Sequence, residues 1–426
     1  MNILIISAPH PYKVAGTVAY NLYKGLKEKG HLTKLVVRPE DAYVEDDIFS
    51  MQSNRDLVLK KTKNKIKRTI NKLIPVMIKT DPDYCIQDLD ETIEYYKTTA
   101  VLQKANIKPD IILYIFPGNL LNAKNLYELN KITGAPVFWY LMDSAALTGG
   151  CHYSWDCMRY KTGCGKCPAL FSNDENDQTA INYKFKQEYL SKTDISIIGA
   201  TEWQSKMARE SGLFKGKTIH KILLTADPDL FNRTDKHEAK KKLSIPANKK
   251  VIFFGSADLS EKRKGMKYLA AALNILKQKG EHNMDDILLL VAGNWFDDIQ
   301  NELPFEHKWL GLLQNNEQLA TSFQAADIFV CPSIEDSGPM MINQALMCGI
   351  PVVSFEMGVS FDLVIPGSTG YIAKLKDTND LALGISNMLS LNEEVYEQYS
   401  KNCRQLALQS CTPEVQIEKF EKLFAS

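Results

Sequence analysis

Apolar runs of strand length alternate along this chain with amphipathic stretches of helical period, and the alternation restarts midway. Residues 1–7, 32–37, 110–116, 136–141, 196–201 and 218–225 read as buried strands of a first half. Residues 250–255, 287–293, 309–312, 328–331, 352–355 and 367–373 read as those of a second. Val18, Leu22 and Leu26 predict a helix over 17–29 that Gly30 stops. Further helices are expected over 120–132, from Glu202 onward, and over 266–277, 319–326, 340–347, 377–391, 393–409 and 415–424. A linker with a polar helix is expected over 231–247. Strands this apolar, each followed by a helix, predict parallel sheets covered on both faces. The expected fold class is therefore α/β, with two doubly wound, Rossmann-like domains over residues 1–230 and 231–411 facing a cleft.

Composition narrows the picture without redirecting it. The 426 residues suit two domains, and 45% apolar with 24% charged residues is ordinary for a globular protein. Lys plus Arg equals Asp plus Glu at 51 each, so no nucleic-acid partner is expected. The opening apolar run is too short for a signal peptide, and no run reaches the roughly 18 apolar residues of a membrane span. The expected compartment is the cytoplasm. Residues 38–108 break the strand–helix rhythm. Within them, 57–74 interleave Lys60, Lys61, Lys63, Lys65, Lys67, Arg68 and Lys72 with leucines and isoleucines. That pattern fits either a peripheral contact with the inner membrane face or a solvated helical face.

The chemistry concentrates in residues 327–355, DIFVCPSIEDSGPMMINQALMCGIPVVSF. A short strand leads into a polar turn, and Pro339 suits the start of a helix. Gly349 can end that helix in the left-handed conformation before Pro351 and the next strand. Ligands of such sheets bind beyond the carboxyl ends of the strands, and the free amides of a helix start suit phosphate. Asp336 in the turn and Gln344 eight residues later can address the two ends of a long ligand. The alternative is that Asp336 only caps a turn and Gln344 is a solvated helix residue.

This stretch resembles the family 4 glycosyltransferases, retaining enzymes of the GT-B fold. Ala345, Gly349, Pro351, Val352 and Val353 set the register, which puts the two acidic positions of the family at Asp336 and Gln344. A second register, Glu335 with Asn343, leaves Ala345 and Gly349 one residue out of step. The resemblance covers nearly the whole chain and is strongest over 250–373. It implies transfer of a sugar from a nucleoside-diphosphate sugar to a hydroxyl of a glycan or lipid-linked acceptor. The donor phosphate would take the acceptor proton on the same face, so no cofactor is required for catalysis. Asp336 and the turn at Gly338 and Pro339 would hold the sugar, the Met340 and Met341 backbone the diphosphate, and Gln344 the ribose. Lys264 would steady the leaving group, with Arg263 as a second cation in place of the arginine that Ser256 replaces. Gly16, in the first loop, matches a residue that helps hold the diphosphate. Asp143 would orient the acceptor, although Met142 stands where the family often has His; a turn cap is its other reading. The helix over 412–426 would cross back onto the first domain. The rival functions are a non-catalytic sugar- or nucleotide-binding scaffold and a nucleotide-sugar epimerase.

Nine cysteines are present, and Cys151, Cys157, Cys164 and Cys167 cluster with five, six and two residues between them. The closing C-x-x-C among glycines suits a structural zinc, with free thiols and an iron–sulfur cluster as the alternatives. His152 is a substitute ligand or a surface residue. The segment over 148–168 resembles an insertion in the branch of the family near colanic-acid-type transferases of polysaccharide biosynthesis, which are bacterial enzymes. The other five cysteines read as free thiols, most of them in apolar surroundings.

Overall fold

Ile3, Leu4, Ile5 and Ile6 are all fully buried, so the strand they form must be covered on both faces. It is the first of seven parallel strands: β1 (Asn2–Ile6), β2 (Leu32–Val37), β3 (Ile48–Ser50), β4 (Ile111–Tyr114), β5 (Val137–Leu141), β6 (Ile195–Gly199) and β7 (Ile219–Lys221). Their order across the sheet is β3-β2-β1-β4-β5-β6-β7. A second parallel sheet holds β8 (Lys250–Asp258), β9 (Ile287–Asn294), β10 (Glu306–Trp309), β11 (Ile328–Cys331), β12 (Val352–Phe355) and β13 (Gly370–Ala373), in the order β10-β9-β8-β11-β12-β13. Each sheet thus runs outward from its first strand in one direction and then reverses, the doubly wound arrangement. The computed structural model describes residues 1–12, 14–38, 46–51, 79–86, 90–294 and 303–425. One compact unit comprises Met1–Gly199, Gln204–Lys221 and Glu421–Ser426; the other comprises Ala200–Trp203 and Ile222–Phe420.

Most expected strands are present, with four differences. The short strand β3 lies in the stretch read as irregular. The expected strand over 218–225 is only Ile219–Lys221. The expected strand over 309–312 is instead Glu306–Trp309, an edge strand whose residues are all partly or fully exposed. An edge strand need carry no apolar run, and the apolar pattern here points instead to the leucines that follow it. Finally, β8 continues to Asp258 beyond a register break after Gly255, where a loop was expected from residue 256. The basic stretch 57–74 lies outside the described residues. Among the described residues no helix is long and apolar enough to cross a membrane.

The second sheet is tied together at Asp327, just ahead of β11. Its carboxylate accepts the Val251 amide of β8 (2.7 Å) and the Lys236 ammonium (2.7 Å), with Lys240 at 3.5 Å. The Tyr396 hydroxyl donates to the Asp327 carbonyl and accepts from Lys236. Burial opposes ionisation of Asp327, but the two lysines outweigh it and hold its carboxyl below the ordinary value. A lowered folded value means that this contribution to stability is complete above the unfolded value, about 3.9, and is lost as pH falls through the folded one. Asp327→Asn is expected to cost about 2 kcal/mol or more at pH 7, because two largely buried lysines lose their partner. The gap from the native protein should shrink below about pH 4. Urea unfolding at several pH values measures both; an unchanged midpoint at pH 7 would refute the role.

Candidate functional site

The strand order of the second sheet reverses between β8 and β11, and a crevice opens at such a point beyond the strand ends. A cavity of about 220 Å³ lies there, walled by Gly255 and Ser256 at the break in β8, by Ser333 after β11, and by Met340 and Met341. Arg263 and Lys264 complete it. They arrive on a 3₁₀ turn, Lys262–Lys264, that ends at Gly265 in the left-handed conformation (φ 76°). A Cβ at Gly265 would fall 1.8 Å from the Pro332 carbonyl oxygen, so backbone meets backbone there. The Ile334 amide then donates to the Arg263 carbonyl (2.8 Å). These two contacts clamp the basic turn onto the loop after β11.

The clamp sets both cations on Asp336. Lys264 Nζ lies 2.5 Å and Arg263 Nη1 3.0 Å from its Oδ2, while the Gly338 amide donates to Oδ1 (3.3 Å). Arg263 also reaches Glu261 at 2.5 Å. Asp336 is 7% exposed; burial works against its charge, yet Lys264 and Arg263 keep its carboxyl below the ordinary range. Among the described residues, Asp336 is absent from the cavity wall. The structure therefore gathers Asp336, Lys264 and Arg263, with the acid supporting the cations.

Pro339 caps the helix Met340–Met347, and Gly349 follows it at φ 74°, the left-handed ending expected. Pro339, Met340 and Met341 line the cavity, whereas Gly338 turns its amide to Asp336. Ser256 also lines it, but its hydroxyl donates to the Asp258 carbonyl (3.0 Å) within the strand break. Gln344 is buried (6% exposed) and makes no side-chain hydrogen bond among the described residues. Its neighbour Asn343 donates to the Leu224 carbonyl (2.8 Å), a structural tie. Two contributors escaped the sequence. The Thr201 hydroxyl donates to the Ser337 carbonyl (3.0 Å) across 136 positions, and Gly358 (φ 56°) leaves room for the Asp336 carbonyl. No local pattern marks a bond to so distant a carbonyl.

The remaining expected residues belong to the first unit. Gly16 is buried at the start of helix Thr17–Glu28, where a Cβ would strike the His10 carbonyl at 2.0 Å. Asp143 follows β5; one oxygen caps a turn by accepting the Ala145 amide (2.8 Å), and the other lies 2.7 Å from His152 Nδ1. The ring proton of His152 therefore faces the carboxylate. Cys151, Cys157, Cys164 and Cys167 all border one small cavity of about 20 Å³. Burial pushes the Cys151 thiol up to about 12 and the Cys164 thiol up to about 11. Among the described residues no three His, Cys, Asp or Glu side chains are already set as a metal-ligating group.

Residues 235–406 match the family model "Glycosyl transferases group 1". An uncharacterised glycosyltransferase of Methanocaldococcus jannaschii is 23% identical over 260 residues, 57% of this chain and 64% of that protein. The chain spans between about two-fifths and two-thirds of the length of the first curated relatives that it matches. Sucrose-phosphate synthase from Thermosynechococcus elongatus superimposes with a TM-score of 0.68 at 16% identity, over 100% of this chain and 98% of that one. The Anabaena protein Alr3699/HepE, crystallised with UDP and glucose, gives 0.63 at 15% identity, over 100% and 99%. The two parallel-sheet, Rossmann-like units are of the kind found in GT-B glycosyltransferases, and residues 235–406 are similar to the glycosyl transferases group 1 domain.

Proposed function

We propose that this chain is a retaining glycosyltransferase that moves a sugar from a nucleoside-diphosphate sugar to a hydroxyl of a glycan or lipid-linked acceptor. The observation that carries this reading is the cavity at the β8–β11 reversal, with Lys264 and Arg263 on its wall and the amino end of helix Met340–Met347 beside them. Cations and a helix start favour the same ligand charge. As the glycosidic bond breaks, the leaving diphosphate gains negative charge, and groups already aimed at it lower the barrier. In the free protein, Arg263 and Lys264 rest on Asp336, and Arg263 also on Glu261, so each positive charge has a counter-charge. A diphosphate would supply that counter-charge itself, while Asp336 keeps the two side chains on the wall. Asp336 is thus a positioning residue in this reading.

The likeness to family 4 enzymes supports retention, with the donor phosphate taking the acceptor proton. The neighbour crystallised with UDP and glucose supports a nucleotide-sugar donor. The cysteine-bearing segment, similar to that of colanic-acid-type transferases, supports a place in bacterial surface polysaccharide biosynthesis. In the first unit, the Asp143 carboxylate, steadied by His152, is suited to orienting a hydroxyl.

Two measurements test the reading. One of the UDP-, GDP- or ADP-sugars should release its nucleoside diphosphate slowly in water. Lys264→Ala should lower that rate by about 10²–10³-fold, the usual loss of one such stabilising group. Failure to bind any donor would overturn the reading, and tight binding without turnover across acceptors would favour the scaffold. Asp336→Asn should lower turnover by about tenfold or more while nucleoside-diphosphate affinity, followed by calorimetry, holds or rises. An equal loss of affinity and turnover would instead make Asp336 a direct donor ligand.

A further inference from the structure

The connection from β5 to helix Gln178–Leu190 is long, and the donor chemistry leaves it unexplained. It is lashed to that helix with unusual care. Lys186, 3% exposed, donates to the Ala145 (2.7 Å) and Thr148 (3.2 Å) carbonyls. Asn182 donates to the Gly149 carbonyl, and the Cys167 amide donates to Asp177, the residue that caps the helix. The effect is to turn four cysteines, spread over 17 positions of the chain, toward one space the size of a single small ion or water.

One sulfur already has a donor: the Gly149 amide donates to Cys164 Sγ (3.1 Å). The Thr148 hydroxyl donates to the Cys151 carbonyl (2.9 Å), which fixes the backbone of the first cysteine. A backbone amide aimed at a ligating sulfur is an outer-shell feature of tetrathiolate metal sites. We propose that Cys151, Cys157, Cys164 and Cys167 together bind one zinc ion in a tetrahedral thiolate site. The four residues border one space, and side-chain rotation would have to bring their sulfurs together on the ion. Each thiol gives up its proton to solvent on binding, and no oxidation or reduction takes place. The site then fixes the loop that presents His152 to Asp143, since His152 adjoins Cys151 and its carbonyl accepts the Ser144 amide (3.1 Å).

The full-length protein, purified in reductant without added metal and then loaded with zinc, should retain about one equivalent after gel filtration. Cobalt in its place should give the charge-transfer and tetrahedral bands of a thiolate site. Cys164→Ser and Cys167→Ser should each lower retention at least tenfold. Because those variants could fold poorly, an organomercurial titration of the native protein serves as a second readout: zinc should leave in step with modification of four thiols. Retention below about one-tenth equivalent after loading, or release uncoupled from thiol modification, would overturn the proposal. Disulfides among these cysteines in the metal-free native protein, persisting under reductant, would overturn it as well. These outcomes leave the donor reading standing, since they do not depend on turnover.

Discussion

The α-carbon of Gly265 and the carbonyl of Pro332 approach so closely that no side chain fits between them. The rest of the arrangement around the cavity follows from that contact. It carries the basic turn onto the end of β11, lets the Ile334 amide reach the Arg263 carbonyl, and leaves two cations with one place to go. A half-buried pair of positive charges would repel one another, and Asp336 offsets that repulsion. The acid and the cations are therefore a single device. Backbone geometry brings them together, and electrostatics keeps them charged.

The two sheets share a winding pattern but spend it differently. In the second unit the strand reversal between β8 and β11 carries a cavity and its cations. In the first unit the elaboration comes after β5, where the connection to the next helix has grown into a loop with four thiols. The same helix that covers the sheet there also anchors the loop, through Lys186, Asn182 and Asp177. Function is built on loops beyond a repeated scaffold, as expected where the scaffold is rigid and its strand ends are open.

What was legible in the sequence was what burial writes into it. Strands such as β1, β9 and β12 lie covered on both faces, and their apolar runs announced them. Edge strands have no such signature: β3 went unseen, and β10 was displaced toward the leucines that follow it. The helix Met340–Met347 was readable to the residue because proline and glycine punctuate both its ends. At the site, the motif located Asp336, Arg263 and Lys264 but not their mutual contact, which depends on a turn far away in the chain. Thr201 and Gly358 were invisible for the same reason, since each acts on backbone that only folding brings near.

Asp336 and Gln344, the residues at the two positions where the resemblance implies acids, become coherent once the contacts are known. At 336, an aspartate can accept the amide two residues on and still hold two cations on its other oxygen. A glutamate carboxyl, one methylene further from the backbone, is poorly placed to close that local turn while meeting the same cations. At 344, a carboxylate would sit only 6% exposed, and a buried charge without a partner is costly. The amide of Gln344 avoids that cost and keeps both a donor and an acceptor. The aspartate at 336 is thus fitted to its cations and the amide at 344 to its burial.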